Sequence, residues 1–192
     1  MARKKKEVLV GLNFEMREVR PLTKNQALVL NSVDHLMLHG CAGTGKTYLS
    51  LAVALTDLQE GQCNGVVIVR SAVSTRDVGH LPGTLEEKTK GYEAPYVAIL
   101  KELFSRGDDP YGQLKRKGVI EFITTTNIRG STIRDKTVIV DECQNMTFHE
   151  LDSVITRIGL NCRVIFSGDF QQSDLKNSGI KAFMSILRQM NE

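Results

Sequence analysis

Apolar residues in this chain fall into short unbroken runs separated by stretches with helical spacing. The runs are Leu36–Leu38, Gly65–Arg70, Thr137–Asp141 and Arg163–Ser167, and Val119–Thr124 is another strand candidate. A short run without polar alternation suits a strand buried on both faces of a parallel sheet. Helical patterns lie between them: Lys46 to about Gly61, Pro95–Phe104, Phe148–Ile158 and Ile180–Gln189. A further helix is expected from Pro21 to about Asn31, with Thr23 and Gln26 at capping-box spacing. Val8–Leu12 reads as a short strand. Strands alternating with helices imply an α/β fold, a mostly parallel sheet covered on both faces, with its site at the strands' C-terminal ends.

Three stretches lack this order. Residues Ser71–Gly91 read as loop with short helical turns, Arg106–Gly118 as the most disorder-prone segment, and Asn127–Asp135 as irregular. The expected division is a basic arm and short strand over residues 1–20, then a single domain over 21–192.

Composition changes this picture little. Hydrophobic content of 41% and charged content of 24% are ordinary for a globular chain. No apolar run approaches the ~20 residues of a membrane span. Arg3, Lys4, Lys5 and Lys6 are followed by Glu7 and no apolar stretch, so they do not make a signal peptide. The charge of this arm exceeds the net +3 of the chain, which leaves the body slightly acidic. A broadly basic nucleic-acid footprint is thereby excluded; most such terminal runs are simply solvated. The four cysteines show no metal-ligand spacing, which suits reduced thiols in a cytoplasm.

The chemistry concentrates at one strand–turn–helix. Gly40-Cys41-Ala42-Gly43-Thr44-Gly45-Lys46-Thr47 matches G-x-x-x-x-G-K-[ST]. Its glycines let successive backbone N–H groups turn toward an anion at the positive end of the following helix. Lys46 is expected to reach the β- and γ-phosphates, and Thr47 to bind Mg2+ through its hydroxyl. Val138–Glu142 fits the acidic strand that partners such a loop, with Asp141 holding Mg2+ through water and Glu142 polarising the attacking water.

Gly168–Gln172 closes the next strand, where a polar side chain faces the γ-phosphate; Gln172 is the candidate sensor and Asp169 its support. Gln26 lies shortly upstream of the loop. Its amide can donate to adenine N7 and accept from N6, which selects ATP over GTP. Cys41 and Cys143 are both expected to flank the γ-phosphate position.

Together these motifs resemble the PhoH-like family. The resemblance rests on the loop around Lys46, Asp141-Glu142-Cys143-Gln144-Asn145, Thr156–Gly159, Gly168–Leu175, Leu81–Lys88 and Arg129–Thr132. It spans about Pro21 to Phe183. It implies a cytoplasmic ATPase linked to phosphate starvation, with a P-loop NTPase (RecA-like) core similar to superfamily 1 helicases. The family's usual continuation, a strand and an Asp-Ile/Val-Val-Arg segment, falls beyond Glu192.

Two functions follow as expectations. One is Mg2+-dependent hydrolysis of ATP, coupled to single-stranded RNA or to assembly. The other is a nucleotide-dependent switch or assembly module with little turnover. Glu142 favours the first, and the lack of the family's arginine segment within residues 1–192 favours the second. The chain has no N-K-x-D guanine motif, and a water-activating Glu142 argues against a nucleoside kinase. One core alone does no mechanical work on closure, so motor activity implies a homo-oligomeric ring, such as a hexamer, with an arginine from a neighbour. Arg76, Arg129, Arg134 and Arg157 are candidates; Arg129 is preferred because it lies in an irregular loop.

Overall fold

The computed structural model describes residues 15–71, 85–105, 108–128, 130, 132–171 and 178–190. Side chains at 85–90, 187 and 190 are not described. The strand expected over Val8–Leu12 falls outside this set, as do Arg76, Arg129 and Gln172. The elements are α1 (Lys24–Asn31), β1 (Leu36–His39), α2 (Lys46–Gln59), β2 (Val66–Arg70), α3 (Leu85–Leu103) and α4 (Pro110–Arg116). They continue with β3 (Ile120–Thr124), β4 (Thr137–Val140), a 3-10 turn (Cys143–Asn145), α5 (Phe148–Ile155), β5 (Arg163–Gly168) and α6 (Ile180–Met190).

The five described strands form one sheet in the order β1-β5-β4-β2-β3, and every pairing is parallel. Alternation along each strand explains the unbroken apolar runs. Val66, Ile68 and Ile139 face a core with Leu51, Leu55 and Leu58 of α2 and Tyr96, Leu100 and Leu103 of α3. Val67, Val69, Val138 and Val140 face the opposite core, with Leu151 and Val154 of α5 and Ile180 and Phe183 of α6. Both faces of β2 and β4 are covered, so these central strands have no polar side to show.

Two stretches are more ordered than their composition implies. α3 begins at Leu85, ten residues before Pro95, and carries that proline inside it. Its first half is polar, with Glu86, Glu87, Lys88 and Lys90. These are good helix formers that leave no apolar stripe to read. The second stretch contains α4, where Asp109 accepts from Gly112 N–H as N-cap and Pro110 occupies the first turn. Proline there begins a helix instead of breaking it. Conversely, α5 stops at Ile155, short of the expected Ile158.

At the N-terminal edge of the sheet, Arg163 crosses from β5 to three partners. Its guanidinium meets Asp57 Oδ1 at 2.8 Å and donates to the carbonyls of Ser32 (2.7 Å) and Asp34 (2.9 Å). Thr137 Oγ1 donates to the other Asp57 oxygen at 2.9 Å. Both side chains of the ion pair are 12% exposed, so removing one member strands a buried charge. Arg163→Met is expected to cost about 3–5 kcal/mol of stability. In a urea titration the midpoint should fall while nucleotide affinity stays at the parent value, because the network lies at the sheet end opposite the phosphate loop. A midpoint within error of the parent would show the pair to be dispensable.

Candidate functional site

β1 delivers the chain to the glycine loop, and the loop delivers it to α2. Gly43 (φ 79°) and Gly45 (φ 80°) both sit in the left-handed region, where a side chain is strained. Gly45 is also the N-cap of α2 and offers no side-chain cap, so the first N–H groups of that helix are left for another acceptor. Lys46 curls back across the loop, donating to the carbonyls of Gly40 (2.7 Å) and Cys41 (2.9 Å). Thr44 Oγ1 also donates to Cys41 O at 2.8 Å. Residues 41–44 are exposed.

The carboxylate at the end of β4 comes to this loop. Thr47 Oγ1 donates to Asp141 Oδ1 at 3.1 Å across 94 residues of sequence. Asp141 is 2% exposed, and its other oxygen accepts from Tyr96 Oη at 2.9 Å. Tyr96, from α3, is fully buried; burial and then the Asp141 charge push its hydroxyl pKa strongly upward, so it stays a donor. No local pattern marks Tyr96, because its partner is fixed only by the packing of α3 on the sheet.

Glu142 adopts a left-handed conformation (φ 52°, ψ 40°), costing about 1–3 kcal/mol for a residue with a side chain. This turn separates two neighbouring side chains. Glu142 remains half-buried, whereas Cys143 goes into the apolar core under β5. The expectation that Cys143 flanks the γ-phosphate is therefore wrong. Its thiol is buried and, through that burial and the Asp141 charge, pushed up to about 12. Cys41 is exposed on the loop.

β5 lies between β1 and β4, so its C-terminal end opens between Lys46 and Asp141. Asp169 is buried; Oδ1 accepts from Gln171 N–H at 3.1 Å, while Oδ2 and the hydroxyl of buried Ser167 make no hydrogen bond to described residues. Gln144, which the sequence marks only as a member of the acidic motif without a role of its own, donates from Nε2 to Glu142 Oε2 at 2.6 Å and accepts from Asp169 N–H at 3.1 Å. His39 stacks on Phe170, with ring centroids 4.4 Å apart and planes 6° from parallel, and accepts from Phe170 N–H.

Gln26 reaches the same loop from α1. Its Nε2 donates to Thr44 O at 3.4 Å, and its Oε1 accepts from Leu22 N–H at 2.7 Å. The expected capping box is thus only half formed: Thr23 accepts from Gln26 N–H, but the glutamine returns to Leu22 instead of Thr23. The complete box is at Thr147 and Glu150, opening α5. Burial alone would raise the Glu150 pKa; hydrogen bonds from Thr125, Thr147 and Ser71 outweigh it and lower the pKa. Glu150 thereby pins α5 to the ends of β2 and β3. Arg134 and Arg157 are elsewhere, beside the entry to β4, where Ile133 N–H bonds to Arg157 O.

The donor set around Thr47 and Asp141 fits Mg2+: a hydroxyl and a carboxylate, both hard oxygen ligands of the kind that leave the ion's remaining positions to phosphate and water. No helix among the described residues is long and apolar enough to cross a membrane.

Comparisons with known proteins identify the family. The family model described as PhoH-like protein matches residues 18–192. The PhoH-like protein of Mycobacterium leprae is 35% identical over 183 residues, covering 92% of this chain and 52% of its own. That of Bacillus subtilis is 36% identical over 152 residues, covering 79% and 47% respectively. This chain spans about half the length of these relatives. Among solved structures, a Sulfolobus solfataricus SWI2/SNF2 ATPase core in complex with dsDNA aligns over 81% of this chain and 34% of that one. Its TM-score is 0.43 at 15% identity, too remote to bear on function. With a family match running through the loop, the acidic strand and the β5 turn, the chain belongs to the PhoH-like protein family.

Proposed function

We propose that this chain binds ATP and hydrolyses it to ADP and phosphate in an Mg2+-dependent reaction. The observation that carries the reading is the meeting of Thr47 and Asp141 at 3.1 Å, beside the Lys46 ammonium and the uncapped start of α2. Those groups supply a dense positive and hydrogen-bonding cradle for a triphosphate. When bound, Mg2+ would neutralise charge on the phosphate oxygens, with Thr47 and Asp141 holding it.

The chain's own residues then divide the work. Lys46 exchanges the carbonyls of Gly40 and Cys41 for phosphate oxygens. Tyr96 fixes the Asp141 carboxylate from behind. Glu142 takes a proton from the attacking water as its oxygen bonds to the γ-phosphorus and the bond to the ADP oxygen breaks. Ser167 Oγ and Asp169 Oδ2 are buried atoms of the kind that normally have a partner, and water ordered by the nucleotide is the natural one. Gln172 is the γ-phosphate sensor in this reading. Coupling to single-stranded RNA would need a second face and an arginine, Arg129 in our preference, from another copy in a homo-oligomeric ring.

Lys46→Ala should abolish ATP binding. Glu142→Gln should retain binding and lower turnover by about a hundredfold or more, the scale of losing a positioned base. Phosphate release, followed together with particle mass with and without ATP and RNA, tests this. Parental turnover in Glu142→Gln would reassign the base, and binding without turnover in the unaltered chain would favour a nucleotide switch.

Base selection rests on Gln26, whose carbonyl oxygen retains a second lone pair beyond its bond to Leu22 N–H. Gln26→Ala is expected to weaken ATP by about 1–2 kcal/mol and GTP by less, read by competition binding. Equal losses would leave Gln26 as a brace on Thr44 alone.

The thiols report on the same crevice. Mg-ATP should strongly slow maleimide labelling of exposed Cys41, while buried Cys63 and Cys143 stay unlabelled until the protein unfolds. Peptide mapping identifies the labelled residue. Unprotected Cys41 at saturating nucleotide would mean the loop does not wrap the phosphates.

A further inference from the structure

Gln144 sits at the junction of two parts of the site that the backbone does not join directly. Its side chain leaves the 3-10 turn after β4 and is 3% exposed. One end donates to Glu142 Oε2 at 2.6 Å, and the other accepts the N–H of Asp169 at 3.1 Å. Flipping the amide would set oxygen against carboxylate and NH2 against N–H, so the partners fix its orientation. Its own main-chain oxygen is fastened by Ser178 Oγ at 2.6 Å.

The end of β5 is shaped to admit this side chain. A Cβ at Gly168 would lie 2.5 Å from Gln144 Oε1 and 2.9 Å from Cys143 Sγ. Any larger residue there would push the amide off Asp169 or Glu142. Glu142, for its part, sits in a left-handed conformation with no side-chain cap on the turn it opens, and among the described residues the Gln144 amide is the hydrogen-bond partner of its carboxylate.

We propose that Gln144 is a positioning residue that couples the Glu142 carboxylate to the Gly168–Asp169 end of β5. Displacement of that strand end, which faces the γ-phosphate in the reading above, then turns the base toward or away from the attacking water. The inference rests on Glu142 being that base. It needs a side chain with one donor and one acceptor at this reach. Asparagine is one methylene short, an ionised glutamate cannot donate, and methionine does neither.

The test is a double-mutant cycle between Gln144 and Glu142, read in single-turnover phosphate release and, separately, in nucleotide affinity. Gln144→Met fills a similar volume and should lower kcat about tenfold or more with nucleotide affinity within about twofold of the parent. Gln144→Glu keeps the acceptor for Asp169 N–H and loses the donor to Glu142; it should lower kcat too, and it serves if the methionine variant does not fold. In the Glu142→Gln background neither substitution should reduce the residual rate further. Parental kcat in the folded Gln144 variants would overturn the proposal. So would the same fractional loss in both backgrounds, or a loss carried by affinity instead of kcat. Should the unaltered chain release no phosphate, or Glu142→Gln turn over normally, the functional reading fails and takes this one with it. Turnover lost in Glu142→Gln but intact in Gln144→Met sinks the coupling alone.

Discussion

A buried carboxylate must find partners or lose its charge, and in this fold that constraint gathers the site. Asp141 ends a strand with core on both faces and is 2% exposed. Its two oxygens are satisfied by Thr47, from the glycine loop, and by Tyr96, from α3. An uncompensated charge at such a place costs several kcal/mol, so the loop helix and α3 are held in register with β4 by electrostatics as well as by packing. The same carboxylate is thus a structural pin and, in the proposed reaction, a ligand.

Parallel pairing does the remaining assembly. All described strands run the same way, so their C-terminal ends reach one edge of the sheet. Inserting β5 between β1 and β4 brings a third chain end, Gly168–Asp169, between the Lys46 loop and the acidic turn. The opposite edge carries the Arg163–Asp57 network, which ties β5, β4 and α2 together without touching the loop. Cohesion and chemistry occupy different ends of the sheet.

Much of this is legible in the chain because it is local. The runs at Val66–Arg70, Thr137–Val140 and Arg163–Gly168 are unbroken for the plain reason that both faces are buried. The loop glycines and the lysine are likewise a feature of adjacent residues. What escapes is whatever depends on a partner far away in sequence or on polar helix formers. The first half of α3 has no apolar stripe, α4 hides behind Asp109-Pro110, and Tyr96 and Gln144 look like any tyrosine and glutamine until the sheet places Asp141 and Asp169 beside them. Cys143 lies in the core and not at the crevice because its neighbour Glu142 takes a left-handed turn that no pattern of residue types announces.

The lysine folded across its own loop carries a further consequence. With Nζ bonded to the carbonyls of Gly40 and Cys41, and Thr44 bonded to the latter as well, the loop is closed on itself by internal contacts. The conformational entropy of ordering it is therefore lost during folding and not at the moment of ligand capture. In the proposed reading, an arriving phosphate would meet a cation already oriented across the loop and need only displace carbonyl oxygens. Capture becomes an exchange of acceptors on a preorganised surface, in which departure of the ligand leaves the lysine with a waiting set of partners and the loop with its shape.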